Sequence, residues 1–243
     1  METSRTAFFV HSFDSDAFGR LSAVALAGYL QEAAGRSADN LGFGLRDLNR
    51  QSLTWVLVRE HFELDEPVYF GDTLEVETWP SGIDRWAALR DFRLFKNQRE
   101  VGRALSSWFV LDLVNRHPVR PRNILPEEYH EQAVHVLPLR ADPLTTVGTA
   151  TLERQFHVRF SDIDANLHVT NASYIAWVME SVTEAEWRNL WLRSLDIEFL
   201  AECALGAVVN SRSLSNGETH LHSVFREQDS KELAREVTVW NTK

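Results

Sequence analysis

The feature that most constrains the fold of this chain is an internal repeat. Phe8, Val10, Asp14, Asp16, Ala17 and Glu32 recur 148 positions later as Phe156, Val158, Asp162, Asp164, Ala165 and Glu180. The offset is constant, and each copy then enters an apolar helical stretch, residues 21–34 in the first and 169–182 in the second. Strand-like runs follow each helix: residues 54–63, 73–80, 86–96 and 101–113, then 196–199, 207–214, 219–226 and 232–240. Asn216-Gly217 marks a hairpin turn between two of them. A chain of 243 residues with 44% hydrophobic content can build two cores, and half of it is a normal domain size. Repeat and pattern together predict a duplicated domain.

Each copy reads as one mostly apolar helix followed by an antiparallel meander. A helix apolar nearly all round must be covered on most sides, which a curved sheet achieves. The expected class is α+β, a double hot-dog: two tandem hot-dog domains, each with a central helix wrapped by an antiparallel sheet. Edge-to-edge joining of the sheets would remove two exposed edges. The boundaries predicted are a first domain over residues 1–112, a linker over 113–150 and a second domain over 151–243. The linker holds Pro118, Pro121, Pro126, Pro138 and Pro143, five of the seven prolines, with Arg116, Arg120 and Arg122.

Composition narrows the function. A net charge of −10 disfavours a nucleic-acid partner, which needs a basic surplus. No apolar run reaches the length needed to cross a bilayer, and the opening Met1-Glu2-Thr3-Ser4-Arg5 lacks the regions of a signal peptide, so the expected compartment is the cytoplasm. Cys203 is the only cysteine, which rules out an internal disulfide and any CxxC metal or redox site. His220 and His222 alternate on a strand-like run and read as exposed hairpin residues. No zinc spacing, Gly-rich phosphate loop or GxSxG elbow is present. The three linker arginines suit either solvation of a linker or a basic landing site for an acidic carrier.

Chemistry concentrates in Asp164-Ala165-Asn166-Leu167-His168, just ahead of the second helix. In an extended segment Asp164, Asn166 and His168 would share one face, which combines a carboxylate, an amide that donates and accepts, and a proton carrier. Asp and Asn before a helix also serve as turn and cap residues. At the matching offset the first copy has Asp16 but puts Phe18 and Arg20 where the second has Asn166 and His168. One half is therefore expected to be catalytic and the other a scaffold or pocket.

The run from Asp162 through His168, Asn171 and Tyr174 to Trp177 resembles the signature of the acyl-acyl carrier protein thioesterases, the plant chain-terminating enzymes and their bacterial relatives. Thr54-Trp55-Val56-Leu57, Gly71-Asp72, residues 76–80, Leu89-Arg90-Asp91-Phe92 and Ser106-Ser107-Trp108 resemble the first half of that family. The resemblance implies a double hot-dog, hydrolysis of a fatty acyl thioester on acyl carrier protein, no metal or organic cofactor, and a second-half site. It also implies a carboxylate beside a cysteine downstream, which Glu202-Cys203 matches. The molecule is then a monomeric pseudo-dimer or a homodimer.

Thioester hydrolysis needs a nucleophilic water, a base and donors for the oxyanion. Glu202 with His168 is the expected base, with Asn166 fixing the water or the carbonyl and Asp164 orienting a partner. The N–H groups of Val169, Thr170 and Asn171, at the helix start, are the expected oxyanion donors. Cys203 is the alternative nucleophile; on a strand it would face away from Glu202, which favours Glu202. Trp55, Val56 and Leu57 are expected to wall the acyl chain in the first half. Rival readings are an acyl-CoA thioesterase, a hot-dog dehydratase and a non-catalytic acyl-binding module.

Overall fold

The computed structural model describes residues 3–131, 133–140, 142–164 and 167–242. The chain divides into two compact units, one of Met1–Leu21 and Leu26–Arg140, the other of Ser22–Ala25 and Ala141–Lys243. Among the described residues no helix is long and apolar enough to cross a membrane.

The first unit runs β1 (Ser4–Phe9), α1 (Ala23–Asn40), α2 (Leu45–Asn49), β2 (Leu53–Leu64), β3 (Thr73–Asp84), β4 (Ala87–Lys96), β5 (Arg99–Asp112) and β6 (Pro118–Val119). Its antiparallel strands stand in the order β1-β3-β4-β5-β2, with β6 on β5. The second runs β7 (Leu152–His157), α3 (Asn171–Met179), α4 (Glu184–Asn189), β8 (Leu190–Phe199), β9 (Val208–Asn216), β10 (Thr219–Arg226) and β11 (Lys231–Thr242). Its order is β7-β9-β10-β11-β8, the same permutation, and each unit is a helix set against one sheet.

The repeat holds at the level of atoms. β1 and β7 are displaced by the predicted offset, and so are the short 3-10 turns Ser12–Asp14 and Phe160–Asp162 that follow them. In both, the aspartate that ends the turn accepts a hydrogen bond from the backbone three residues back: His11 N–H to Asp14 at 3.0 Å, and Arg159 N–H to Asp162 at 2.7 Å. Phe8 stacks on Tyr29 of α1 and Phe156 on Trp177 of α3. Short range alone did not reveal β1 and β7 in the sequence, because each is a six-residue strand held by one neighbour.

The two helices are less alike than their patterns suggest. α3 is buried on most sides, with Ser173, Tyr174, Ile175, Trp177 and Val178 all inside. α1 instead buries one stripe, Ala23, Leu26, Ala27, Leu30, Ala33, Ala34, Ser37 and Ala38, and leaves Gly28, Glu32, Gly35, Arg36 and Asp39 exposed. The expectation of an all-round buried helix therefore fails for α1: its apolar residues recur at helical spacing, so one face suffices. Ala38 packs with Ile83, Ala88 and Val110, which identifies the α1-facing side of the sheet.

Residues 113–140 group with the first unit. Leu125 enters its core and Tyr129 meets Phe43 edge to face. Beyond them Asp91, fully buried, accepts from the Val136 N–H at 2.7 Å and contacts the His135 ring at 2.8 Å.

His220 and His222 are not exposed. Both are buried, at 1% and 0%, because β10 lies between β9 and β11 and its even-numbered side chains face inward. His222 bridges Ser213 Oγ at 2.6 Å and Thr238 Oγ1 at 2.9 Å, and burial pushes its pKa down to about 3. The hairpin turn is also shifted by one: Asn216 pairs with Thr219, so the loop residues are Gly217, at φ +64°, and Glu218.

Candidate active site

The site is built on the connection from β7 into α3. The Asp162 carbonyl accepts from the Thr170 N–H at 2.8 Å, and an isolated bridge joins Ile163 to Val169. Between these ties the Asp164 N–H donates to the His168 carbonyl at 2.8 Å, the Leu167 N–H to the Asp164 carbonyl at 3.1 Å, and the His168 N–H to Asp164 Oδ1 at 3.2 Å. The segment is thus a closed loop, not an extended strand, and the predicted alternation of one polar face does not apply. Leu167 has φ +65° and is 76% exposed; such a backbone reverses the chain. Asp164 serves the loop itself. Asn166 lies outside the described residues.

His168 Nε2 stands 3.4 Å from Glu202 Oε2, with both side chains partly open to solvent, 33% and 49%. Glu202 and Cys203 lie in the irregular segment after β8, so the strand argument that separated them does not hold. Burial separates them instead. Cys203 is 2% exposed, and its carbonyl accepts the Val169 N–H at 2.9 Å. Desolvation raises the Cys203 thiol pKa, the opposite of what an activated nucleophile requires. Two neighbours were not foreseen. Tyr174 of α3 donates its hydroxyl to the Ala201 carbonyl at 3.4 Å, and Arg226 of β10 reaches the Glu202 carbonyl at 3.4 Å while paired with Asp229. Burial first, then the acidic groups of Cys203 and Glu202, hold the Tyr174 phenol above the ordinary range. Only the fold brings Arg226 to this loop; its sequence signal is a bare Arg-x-x-Asp turn.

The profile of the acyl-ACP thioesterase N-terminal domain matches residues 2–131, and that of the acyl-ACP thioesterase C-terminal domain matches residues 147–242. This chain belongs to the acyl-ACP thioesterase family. A chloroplastic palmitoyl-acyl carrier protein thioesterase of Arabidopsis thaliana is 27% identical over 98% of the chain and 64% of its own length. A chloroplastic oleoyl-acyl carrier protein thioesterase of the same plant is 25% identical, over 97% and 75%. The chain thus spans about two thirds to three quarters of these relatives. An acyl-ACP thioesterase from Bacteroides thetaiotaomicron superposes with a TM-score of 0.88 at 24% identity, over 98% of both chains. A 12:0-ACP thioesterase from Umbellularia californica gives 0.86 at 25%, over 99% of this chain and 98% of its own. The fold is the double hot-dog of that family.

Within this family member the first copy shows what the second has specialised. The loop Asp16–Arg20 repeats the three bonds given above for Asp164, Leu167 and His168: the Asp16 N–H to the Arg20 carbonyl at 2.8 Å, the Gly19 N–H to the Asp16 carbonyl at 2.9 Å, and the Arg20 N–H to Asp16 Oδ1 at 3.0 Å. Gly19, at φ +74°, stands where the second copy has Leu167. The Leu21 N–H donates to the Val68 carbonyl as the Val169 N–H does to that of Cys203. Val68 is therefore the counterpart of Cys203, and Pro67 that of Glu202. The Arg20 guanidinium turns back on Asp16, at 2.6 Å, and both are largely buried. The first copy keeps the loop as a sealed ion pair, whereas the second opens it as an imidazole and a carboxylate.

Two of the three predicted oxyanion donors are already used: the Val169 N–H bonds the Cys203 carbonyl and the Thr170 N–H bonds the Asp162 carbonyl. Antiparallel closure of the loop consumes the second and the segment after β8 the first, and Thr170 is the N-cap, accepting from the Ser173 N–H at 3.2 Å. Asn171 begins α3, where N–H groups have no partner inside the helix. In the first unit Trp55 donates to the Phe43 carbonyl at 2.9 Å and packs on the core. Trp55 and Leu57 pair with Val110 and Trp108 on the α1-facing side; Val56 pairs with Phe109 and falls on the other. Arg116, Arg120 and Arg122 are exposed, with Arg120 over the Trp86 ring at 5.0 Å and Arg122 donating to the His130 carbonyl at 3.3 Å.

Proposed function

We propose that the chain hydrolyses fatty acyl-acyl carrier protein to a free fatty acid and carrier-protein thiol, and so ends chain elongation in fatty acid biosynthesis. The observation that carries this reading is the His168–Glu202 contact, set at the start of the buried helix α3 in a chain of this family. Glu202, partnered by His168, takes a proton from water; the hydroxide adds to the thioester carbonyl. The tetrahedral oxyanion is met by the Asn171 N–H and the positive end of α3. Collapse expels the thiolate, which takes the proton back. Asn166 holds the water or the carbonyl, and Asp164 holds the loop by accepting the His168 N–H. Cys203 supports the loop through its carbonyl. No covalent acyl-enzyme is needed.

The acyl chain enters the first unit, with Trp55 and Leu57 on its wall, and Arg116, Arg120 and Arg122 receive the acidic carrier protein by charge. The test is fatty acid release from matched acyl carrier protein and acyl-CoA thioesters by wild type and His168→Ala. Release from the carrier protein that falls about 100-fold or more in the variant supports the reading. Preference for CoA transfers the assignment to an acyl-CoA thioesterase; release that survives the substitution overturns the site.

A further inference from the structure

The α1-facing side of the first unit's sheet is not uniformly apolar. Ala88 and Val110 fix that side by packing against Ala38, and strand alternation then places Arg90 on β4 and Ser106 on β5 there too. Cross-strand register aligns Glu60 of β2 with Ser106, and Ser106 with Arg90. The three make one transverse stripe over two strand spacings, roughly 10 Å between the outer backbones. Glu60 and Arg90 are long enough to meet on one small polar group above Ser106. All three are buried, at 1%, 1% and 6%.

The stripe is under-bonded. Among the described residues neither carboxyl oxygen of Glu60 has a hydrogen-bond partner. Among the described residues the Arg90 guanidinium, with five N–H donors, bonds only Thr78 Oγ1, at 3.3 Å. Ser106 Oγ accepts from the Trp108 indole at 2.7 Å, which leaves its own proton to donate. Buried polar groups are almost always satisfied, and leaving them unmet is costly. Such a row belongs to a wall that meets something polar. A saturated alkyl chain offers nothing to it, while a hydroxyl supplies both an acceptor for Arg90 and Ser106 and a donor for Glu60.

We infer that Glu60, Ser106 and Arg90 form a specificity stripe for acyl chains that carry a hydroxyl within the chain. This rests on the reading that the first unit receives the acyl chain. Sites built to bond a substrate hydroxyl discriminate strongly against the analogue that lacks it.

The experiment compares stearoyl and hydroxystearoyl carrier-protein thioesters, with the hydroxyl moved along the chain, in wild type, Glu60→Leu, Glu60→Gln and Arg90→Met. Wild type should favour one hydroxylated chain by about tenfold or more in kcat/KM, and Glu60→Leu and Arg90→Met should each lower that ratio by a similar factor. Glu60→Gln, a neutral donor and acceptor, should keep most of it. In parallel, thermal shifts with free stearate and hydroxystearate read binding without turnover. A larger shift with hydroxystearate that disappears in Glu60→Leu supports the stripe even if no thioester is cleaved, in which case only the hydrolase reading fails. Equal treatment of plain and hydroxylated chains in both assays, or substitutions that lower both rates together, would overturn the stripe and make it structural.

Discussion

Cys203→Val separates the two mechanisms that residue types alone leave open. The thiol is 2% exposed and its position corresponds to Val68 of the first copy, itself 1% exposed, so the pocket already has a valine version. The swap keeps the Val169 N–H bond, which goes to the backbone carbonyl. A near-isosteric apolar exchange of this kind should change stability by less than about 1.5 kcal/mol and leave turnover within a few-fold. Glu202→Gln removes a carboxylate whose side chain is 49% exposed, so folding should shift by no more than about 0.5 kcal/mol. Turnover should nevertheless fall roughly 100-fold to 10,000-fold, the ordinary worth of a positioned base. Fatty acid release gives the rates, urea unfolding the stabilities, and intact-mass measurement after acid quench looks for an acyl adduct. If Cys203 were the nucleophile, Cys203→Val would instead abolish release by as much as about a million-fold. That loss, or an adduct on wild type absent from the variant, refutes the argument from burial.

The remaining predictions concern buried charge. His222 has a folded pKa near 3 against 6.5 for the free side chain, so between those values the unfolded chain binds the extra proton. Stability from this group is full above about pH 6.5 and is lost as pH falls toward 3, and at about 1.4 kcal/mol per pKa unit it can amount to several kcal/mol. His222→Gln should therefore flatten the pH dependence of the urea midpoint in that window; an unchanged slope counts against the burial argument. Glu60 is displaced upward, from 4.5 to about 8, so its effect has the opposite sign: stability present below pH 4.5 is lost as pH rises through 8, and Glu60→Gln should gain more at pH 8 than at pH 5. Asp16→Asn removes the carboxylate paired with the Arg20 guanidinium and should cost roughly 3 kcal/mol in urea unfolding; no loss would mean that this ion pair adds nothing net to stability.

Pattern determined a good deal by itself. The offset that links Phe8 to Phe156 and Asp16 to Asp164 foretold two copies of one topology, and period-two runs located most of the long strands within a few residues, since side-chain alternation is local physics. β8 was the exception: it begins at Leu190, not Asp196, because a strand with polar Arg193 and Ser194 inside it breaks the alternation on which the reading depended. His168 was singled out by the repeat and Glu202 by the family resemblance, and the fold sets their side chains 3.4 Å apart.

What only the tertiary structure decided is where each group's partners stand. The polar face expected along Asp164 to His168 became a closed loop because Ile163 and Val169 pair; that pairing consumed the Thr170 N–H expected to serve catalysis, and the Cys203 carbonyl took that of Val169. His220 and His222 looked exposed until β9 and β11 enclosed them. Arg226, arriving at Glu202 from β10, and the row of Glu60, Ser106 and Arg90 exist only through cross-strand register. Local sequence sets propensity and periodicity; burial, charge pairing and the direction of a donor depend on residues far away in the chain, which only the folded sheet brings within reach.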